Sequence, residues 1–261
     1  MKKVLLFLSF SIFCICSVFA QNLKIKIDEK SAREKYQNEL EIRANGKIIT
    51  DESVKREKNV ITIIPVDDEI EYSISGKLIG KIVVAKEGMI VLNNAYIENN
   101  QQDCAISFEA KCELKIQEKT VNYIISNGES KEKVAALQGK DLEIGGKGDL
   151  YVKGAVCHGV KAKDLEIKGS GNFYFEGTKD GSAINCKSFK VKNDKTFSAY
   201  FLNSKNGIKA DESIEISSGT FYFNDNNKDL KVDAIKEEDK KSDKKYGIFI
   251  TGGEINNDEK K

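Results

Sequence analysis

A short apolar pattern returns at nearly constant intervals through the second half of the chain. Each copy is a pair of apolar residues separated by one polar residue. The pairs are Leu142/Ile144, Leu165/Ile167, Phe189/Val191 and Ile214/Ile216, and their first members are 23, 24 and 25 residues apart. A fixed period in the low twenties is the sequence signature of stacked repeats. It therefore constrains the fold more than any other feature.

A second column of residues follows the same spacing and extends it toward both ends of the chain. It runs through Ile82, Ile106, Leu137, Val160, Ile184, Ile208 and Ile235. The two long steps in this column predict loop insertions at 127–132 and 224–229. From Val60 onward, apolar and polar residues alternate with period two, which is typical of strands with one buried side.

Strands that recur in register indicate that each repeat stacks on the previous one, with about 4.8 Å between coils. A meander or a sandwich uses similar strands but does not require this register. The sequence predicts an all-β fold, a single-stranded right-handed parallel β-helix of about seven coils over residues 60–261. Residues 21–59 are polar and weakly patterned. We interpret them as an N-terminal arm or cap, because the end repeats of a solenoid need a cover with a polar outer side.

The first twenty residues have the composition of an export signal. Lys2 and Lys3 precede an apolar core at 4–15, and Val18 and Ala20 are the short residues expected before a cleavage point. A membrane anchor would need about 20 apolar residues to span the bilayer, more than this run provides. We therefore expect residues 1–20 to be a signal peptide and the mature protein to be exported to the periplasm or the cell surface.

The charge of the mature chain is balanced. Removing Lys2 and Lys3 from the 42 basic residues leaves 40, against 41 acidic residues, which is a net charge near −1. Such a mixed surface does not indicate nucleic acid or an anionic membrane as a partner.

Four cysteines follow the predicted signal: Cys104, Cys112, Cys157 and Cys186. Export permits disulfides, and four cysteines allow three pairings that the sequence cannot distinguish. Cys186 belongs to a column whose other members are small, namely Gly139, Ala162 and Ala210. We therefore expect Cys186 to be a buried free thiol that packs as a small apolar residue.

Several segments resemble, in order, a known family of secreted repeat proteins. They include YSISGKLIGKIVVA (72–85), KDLEIGGKGDLYVKG (140–154), HGVKAKDLEIKGSG (158–171) and NGIKADESIEISSGT (206–220). The family is the bacterial carbohydrate-binding-domain family of parallel β-helix proteins, and the resemblance covers residues 60–252. It implies a polysaccharide of the cellulose or pectic type as the partner, with calcium ions held between the coils.

The resemblance places calcium at acidic turn residues just before the inward column. In this chain that position is occupied by Cys104, Ala135, His158, Ser182, Asn206 and Asp233. Asp233 is the one acidic member, so we expect any calcium site at Asn206 and Asp233, with Asp180 nearby but out of register. The alternative is that these are ordinary turn residues, since Asn and Asp suit turns.

Outward aromatic residues are the candidate sugar contacts. Tyr151, Tyr174, Phe201 and Tyr222 are assigned to the outer side of consecutive coils. They could form a stripe on which sugar rings stack, or they could stabilise the sheet by stacking across strands. Tyr151, Tyr174 and Tyr222 are the predicted carbohydrate contacts.

The leading hypothesis is an exported, non-catalytic and monomeric polysaccharide-binding protein, assisted by calcium. The first alternative is a pectate lyase-like enzyme, which needs a basic residue beside clustered acidic calcium ligands. The three arginines precede the predicted coils, and His158 lies in an HG turn typical of the family, which favours a structural role. The second alternative is a structural surface protein or adhesin.

Overall fold

The computed structural model describes residues 29–45, 47–48, 53–67, 69–128, 133–191, 197–233 and 245–257. The predicted signal peptide lies outside these residues, and so does Ile235 of the predicted inward column. No helix of the described chain is long and apolar enough to cross a membrane.

The described chain contains one helix and a long series of short strands. The helix is α1 (Glu29–Lys35). The strands are β1 (Glu41–Ala44), β2 (Lys47–Ile48), β3 (Val54–Glu57), β4 (Val60–Ile63), β5 (Glu71–Ile79), β6 (Lys81–Val84), β7 (Gly88–Asn99), β8 (Ile106–Phe108), β9 (Cys112–Ile116), β10 (Val121–Ser126), β11 (Ala135–Gly146), β12 (Asp149–Gly154), β13 (His158–Ile167), β14 (Asn172–Glu176), β15 (Ser182–Val191), β16 (Ser198–Leu202), β17 (Asn206–Ile216), β18 (Thr220–Asn224), β19 (Lys228–Val232), β20 (Gly247–Ile250) and β21 (Glu254–Asn257).

These strands form three parallel faces along the molecule. Face 1 contains β4, β6, β8, the first halves of β11, β13, β15 and β17, and β19. Face 2 contains the first halves of β5 and β7, then β9, the second halves of β11, β13, β15 and β17, and β20. Face 3 contains the second halves of β5 and β7, then β10, β12, β14, β16, β18 and β21. The predicted all-β solenoid of about seven stacked parallel coils is confirmed.

Alternation along each strand sends every second side chain into one continuous core. The predicted inward column is confirmed from Ile82 through Ile106, Leu137, Val160 and Ile184 to Ile208, and each of these residues is fully buried. Face 3 fills its part of the core with aromatic rings, namely Phe173, Phe175, Phe201, Phe221 and Phe223. The part of the core behind face 3 is therefore rich in aromatic rings.

The predicted register of the last coil is wrong. Leu230, not Ile235, follows Ile208 in the inward column, because β19 pairs with the first half of β17. The predicted loop at 224–229 is consequently too long, since Lys228 and Asp229 already belong to β19. In the sequence of β19, KDLKV, the inward residues Leu230 and Val232 are flanked by charged residues. The apolar repeat is therefore difficult to recognise there from sequence.

The N-terminal end of the stack is covered by the residues that precede the coils. Strand β1 pairs antiparallel with β5, and β3 pairs antiparallel with β4. Ala32 of helix α1 and Tyr36 pack against Tyr96 and Ile125 of face 3. At the opposite end, among the described strands, β19, β20 and β21 each have a ladder partner on one side only.

Cys104, Cys112, Cys157 and Cys186, the four cysteines among the described residues, are buried and free. The expectation for Cys186 is therefore confirmed, and burial raises the pKa of its thiol. Its neighbours in the column, Ala162 and Ala210, are small and buried too.

Candidate functional site

Six tyrosines stand in register on the outer side of face 3. They are Tyr96, Tyr123, Tyr151, Tyr174, Tyr200 and Tyr222, each paired with the next across neighbouring coils. We call this row the tyrosine ladder. Each tyrosine lies between two inward residues, as Tyr174 does between Phe173 and Phe175. Alternation along the strand therefore forces the ring outward on every coil.

Five rings of the tyrosine ladder, from Tyr123 to Tyr222, are stacked on one another, whereas the Tyr96 ring is tilted by 45° to that of Tyr123. Ring centroids are 4.9 Å apart between Tyr123 and Tyr151, and 4.2 Å apart between Tyr151 and Tyr174. The next spacings, through Tyr200 to Tyr222, are 4.5 and 4.6 Å, with the rings inclined by 8° in both pairs. Both faces of an interior ring are occupied by its neighbours. From Tyr123 to Tyr222 the ladder thus presents ring edges and hydroxyl groups at the partly exposed surface. This arrangement differs from the open ring faces expected of a sugar-stacking stripe.

The structure corrects one member of the predicted stripe. Phe201 is fully buried and packs inward, with its ring centroid 4.8 Å from that of Phe223. Tyr200 takes the outward place. The adjacent Tyr-Phe pair left the phase of the alternation ambiguous. The recurring order apolar-Tyr-apolar, found at Tyr96, Tyr151, Tyr174 and Tyr222, was the signal that would have identified Tyr200.

Polar side chains flank the ladder on both sides. A row two residues earlier contains Asp149, Asn172, Ser198 and Thr220 in register. Asn172 Nδ2 donates to Asp149 Oδ1 over 2.8 Å. On the other side, Lys153 Nζ lies 3.6 Å from Glu176 Oε1. Hydrogen-bonding groups therefore border a strip of aromatic edges along several coils.

The hydroxyls of Tyr151, Tyr174 and Tyr200 stay protonated across the physiological range. Burial is the main cause that raises the pKa of Tyr151, Tyr174 and Tyr200 above the ordinary tyrosine value. A neutral phenol both donates and accepts a hydrogen bond. These three rungs are accordingly a row of neutral donor and acceptor groups.

The residues predicted to bind calcium are not brought together by the strand pairing. Asn206 is buried, pairs in register with Ser182 and Lys228, and donates from Nδ2 to Ser182 Oγ over 3.0 Å. Asp233 follows β19 and so lies past the position that faces Asn206. The predicted alignment of Asn206 with Asp233 is therefore wrong, because it depended on the incorrect register of the last coil.

The other two calcium candidates, Asp233 and Asp180, lie in different environments. Asp233 carboxylate oxygens lie 2.8 Å from both Lys209 Nζ and Lys231 Nζ, and hydrogen bonds from these lysines lower the pKa of Asp233. Asp180 lies in an exposed turn, where its backbone N–H donates to Thr178 Oγ1 over 3.3 Å. No group of three or more His, Cys, Asp or Glu within the described ranges is placed to hold a metal. The residues therefore do not fit the predicted site, and calcium binding stays a prediction.

The single histidine, expected in an HG turn, is buried at the start of strand β13. His158 Nδ1 accepts a hydrogen bond from the Ser182 backbone N–H over 2.9 Å. Burial, aided by the charges of Lys161 and Lys133, lowers the pKa of His158 to about 4. The neutral ring acts as an acceptor that ties one coil to the next.

Face 2 carries an acidic row that the sequence analysis did not single out. Glu113, Glu143 and Glu166 stand in register on consecutive coils. Lys168 forms ion pairs with the first two, with Nζ 3.2 Å from Glu113 Oε1. The recurrence of Glu between the two apolar residues of the repeat was its sequence signal. Lys168 therefore compensates the carboxylates of Glu113 and Glu143, and this part of the row is ion-paired.

Comparison with known proteins agrees with this architecture. The sequence profile of the carbohydrate-binding domain-containing protein family matches residues 57–195, more than half of the chain. The chain belongs to this family. No curated protein matches the sequence.

A solved structure shares the fold. It is the polysaccharide lyase-like protein from C. thermocellum, determined as a gadolinium derivative. The match has a TM-score of 0.54 and 17% sequence identity, and it covers 81% of this chain and 95% of the other. At this identity the likeness concerns the fold.

Proposed function

We propose that the protein is a non-catalytic binder of extended polysaccharides that holds the glycan along the tyrosine ladder. The observation that carries the proposal is the register of six tyrosines on face 3. The family match supports a carbohydrate as the ligand.

The chemistry of the face suits a neutral or weakly charged glycan. Sugar hydroxyls need both donors and acceptors, and the phenols of Tyr151, Tyr174 and Tyr200 supply both on consecutive coils. The aromatic edges between them offer apolar area to sugar C–H groups. A polysaccharide is itself a periodic polymer, so successive sugar units can meet successive coils.

The test is retention on insoluble cellulose and on polygalacturonate, with and without EDTA. We expect retention on at least one of these glycans, and loss of retention with EDTA would support the calcium prediction. Absence of retention on both, with and without EDTA, would contradict the proposal.

Removing the hydroxyls while keeping the stacked rings locates the binding face. The variant Tyr151→Phe/Tyr174→Phe/Tyr200→Phe loses three phenol groups, each with a net hydrogen-bond contribution of about 1 kcal/mol. We expect affinity to fall at least about tenfold, which corresponds to about 1.4 kcal/mol. The matched control on face 1 is Ser107→Ala/Gln138→Ala/Asn185→Ala. If the control loses binding and the phenylalanine variant keeps it, the ligand lies on face 1.

Lyase activity is the second candidate function, because the structural neighbour is called polysaccharide lyase-like. Incubation of the protein with polygalacturonate and calcium would release unsaturated oligosaccharides if it is an enzyme. Their absence, together with intact retention, supports the non-catalytic function.

The proposed function also requires that the protein reach extracellular glycans. Export through the signal at residues 1–20 meets this requirement. Mass spectrometry of the mature protein from an exporting host should find Gln21 as the first residue. An intact N-terminus would contradict this expectation.

A further inference from the structure

Among the described residues, the tyrosine ladder is covered at one end and open at the other. Tyr36, just after helix α1, packs on the first two ladder rings, with centroids 5.6 Å from Tyr96 and 5.9 Å from Tyr123. Tyr96 is fully buried as a result, while Tyr123 remains partly exposed. At the other end Tyr222 pairs with Asn256, a small exposed residue that does not extend the row of rings.

The cover is anchored to face 3 by polar contacts as well as by packing. The Tyr36 hydroxyl donates to the Val121 carbonyl oxygen of β10. Arg33 Nε lies 3.4 Å from Glu98 Oε2, and the same carboxylate oxygen accepts a hydrogen bond from the Tyr96 hydroxyl over 2.7 Å. Lys77 Nζ donates to the Arg33 carbonyl over 3.0 Å. Helix α1 and Tyr36 therefore form a fixed wall across the ladder.

A cavity lies beside the first accessible rungs. Its volume is about 470 Å³, and Thr120, Val121 and Asp149 contribute to its lining. Val121 and Asp149 are two residues before Tyr123 and Tyr151 on the same strands, so the cavity lies on the side of face 3 that carries the polar row flanking the ladder. A terminal sugar unit would find space and polar groups there.

We propose that helix α1 and Tyr36 act as an end wall, so that the ladder recognises the terminus of a glycan chain and excludes continuous internal stretches. This inference rests on the proposed function of the ladder. A chain lying along face 3 can run past Tyr222, but it meets Tyr36 at Tyr123. One of its two ends must therefore stop at the wall.

The wild-type protein tests this inference through ligand length and ligand ends. With four rungs from Tyr151 to Tyr222 and about 4.8 Å per coil, we expect affinity for soluble oligosaccharides to level off at about four or five units. Oligosaccharides carrying a bulky fluorophore at one end or the other would be compared by calorimetry. A block at the end that meets the wall should weaken binding at least about tenfold, whereas a block at the other end should have little effect.

The outcomes separate the two proposals. If no oligosaccharide and no polymer binds, the proposed function fails. If glycans bind but both end-blocked ligands bind equally, only the end wall is overturned.

Variants of Tyr36 provide the structural control. Tyr36→Ala removes the ring that covers Tyr96 and Tyr123, so binding should tolerate the end block and gain from longer chains. Tyr36→Phe keeps the ring and should retain the preference for chain ends. Thermal unfolding checks that both variants fold, and the wild-type comparison stays decisive if Tyr36→Ala does not.

Discussion

A tyrosine in the ladder has two separable roles, because its ring packs on neighbours and its hydroxyl faces solvent. Tyr174 lies between two stacked rings, with centroids at 4.2 and 4.5 Å. Tyr222 has one ring neighbour, at 4.6 Å. The ring therefore contributes to the stability of face 3, and the hydroxyl contributes to the proposed binding of glycan.

Replacing Tyr174 should reveal this division. Tyr174→Ala loses two stacked pairs, each worth about 0.5–1.5 kcal/mol, so the free energy of unfolding should fall by about 1–3 kcal/mol beyond the loss of buried area. Tyr174→Phe should stay within about 1 kcal/mol of the wild type, since the ring remains. Urea unfolding measures both, and Tyr222→Ala is the matched control with one pair to lose. Equal costs for the two alanine variants would contradict the stacking argument.

His158 should make stability depend on pH. Its pKa is lowered to about 4 in the folded protein, whereas the unfolded value is about 6.5. The unfolded chain binds more protons between these values, so the stability that the neutral ring provides is present above about pH 6.5 and is lost as pH falls toward 4.

The change reaches at most about 1.4 kcal/mol per pH unit for this single group. Urea unfolding at several pH values would compare the wild type with His158→Gln, which keeps an acceptor for the Ser182 N–H. The variant should show a shallower decline in the window from pH 6.5 to 4. Identical slopes would show that His158 does not titrate as expected.

At the scale of elements, the corner between faces 2 and 3 depends on glycine. Gly146 and Gly169 occupy this corner in consecutive coils, with φ values of 113° and 103°. A Cβ on Gly169 would lie 2.3 Å from the Gly146 carbonyl oxygen. The corner therefore requires both a left-handed backbone and the absence of a side chain.

Gly169→Ala should destabilise the protein by about 1–3 kcal/mol from backbone strain alone, with the overlap adding to it. Gly145→Ala is the control, since its Cβ meets the flexible Lys168 side chain and its backbone is ordinary. Thermal and urea unfolding of the two variants would measure the difference. A control as unstable as Gly169→Ala would show that crowding, and not the left-handed backbone, dominates at this corner.

The whole molecule is a stack in which each coil contacts its neighbours, and its two ends differ. The N-terminal end is covered by β1, β3 and helix α1. In the described part of the other end, Ile248 and Ile250 continue the inward rows of face 2 but are 44% and 48% exposed. In such quasi-one-dimensional folds stability accumulates from neighbour contacts, so the ends open more readily than the centre.

Hydrogen exchange should show this asymmetry. Backbone amides of β20 and β21 should exchange fastest among the strands of faces 2 and 3, and those of β12 and β14 slowest, because local opening follows the number of neighbouring coils. Peptide-resolved mass spectrometry under native conditions measures the gradient. Uniform protection along the stack would indicate that the last coil is covered, for example by a second copy or by residues outside the described ranges.

The sequence by itself determined the architecture of this protein. The period of about 24 residues and the two-residue alternation are local patterns, and stacking follows from them because each inward residue meets its counterpart one coil later. They placed the inward column from Ile82 to Ile208, the buried thiol of Cys186, and the outward positions of Tyr151, Tyr174 and Tyr222.

Tertiary structure decided what no local pattern encodes. The register after a variable loop depends on which strand best continues the core. In the folded chain Leu230, and not Ile235, follows Ile208 in the inward column, so Asn206 pairs with Lys228 and not with Asp233. Where two aromatic residues are adjacent, the pairing with neighbouring strands decides which of them points outward. Tyr200 pairs with Tyr174 and belongs to the ladder, whereas Phe201 points into the core. Because stacking brings successive rings together, the tyrosines offer edges and hydroxyls instead of open faces. Tyr36, distant in sequence, closes the end of their row through contacts that exist only in the folded chain.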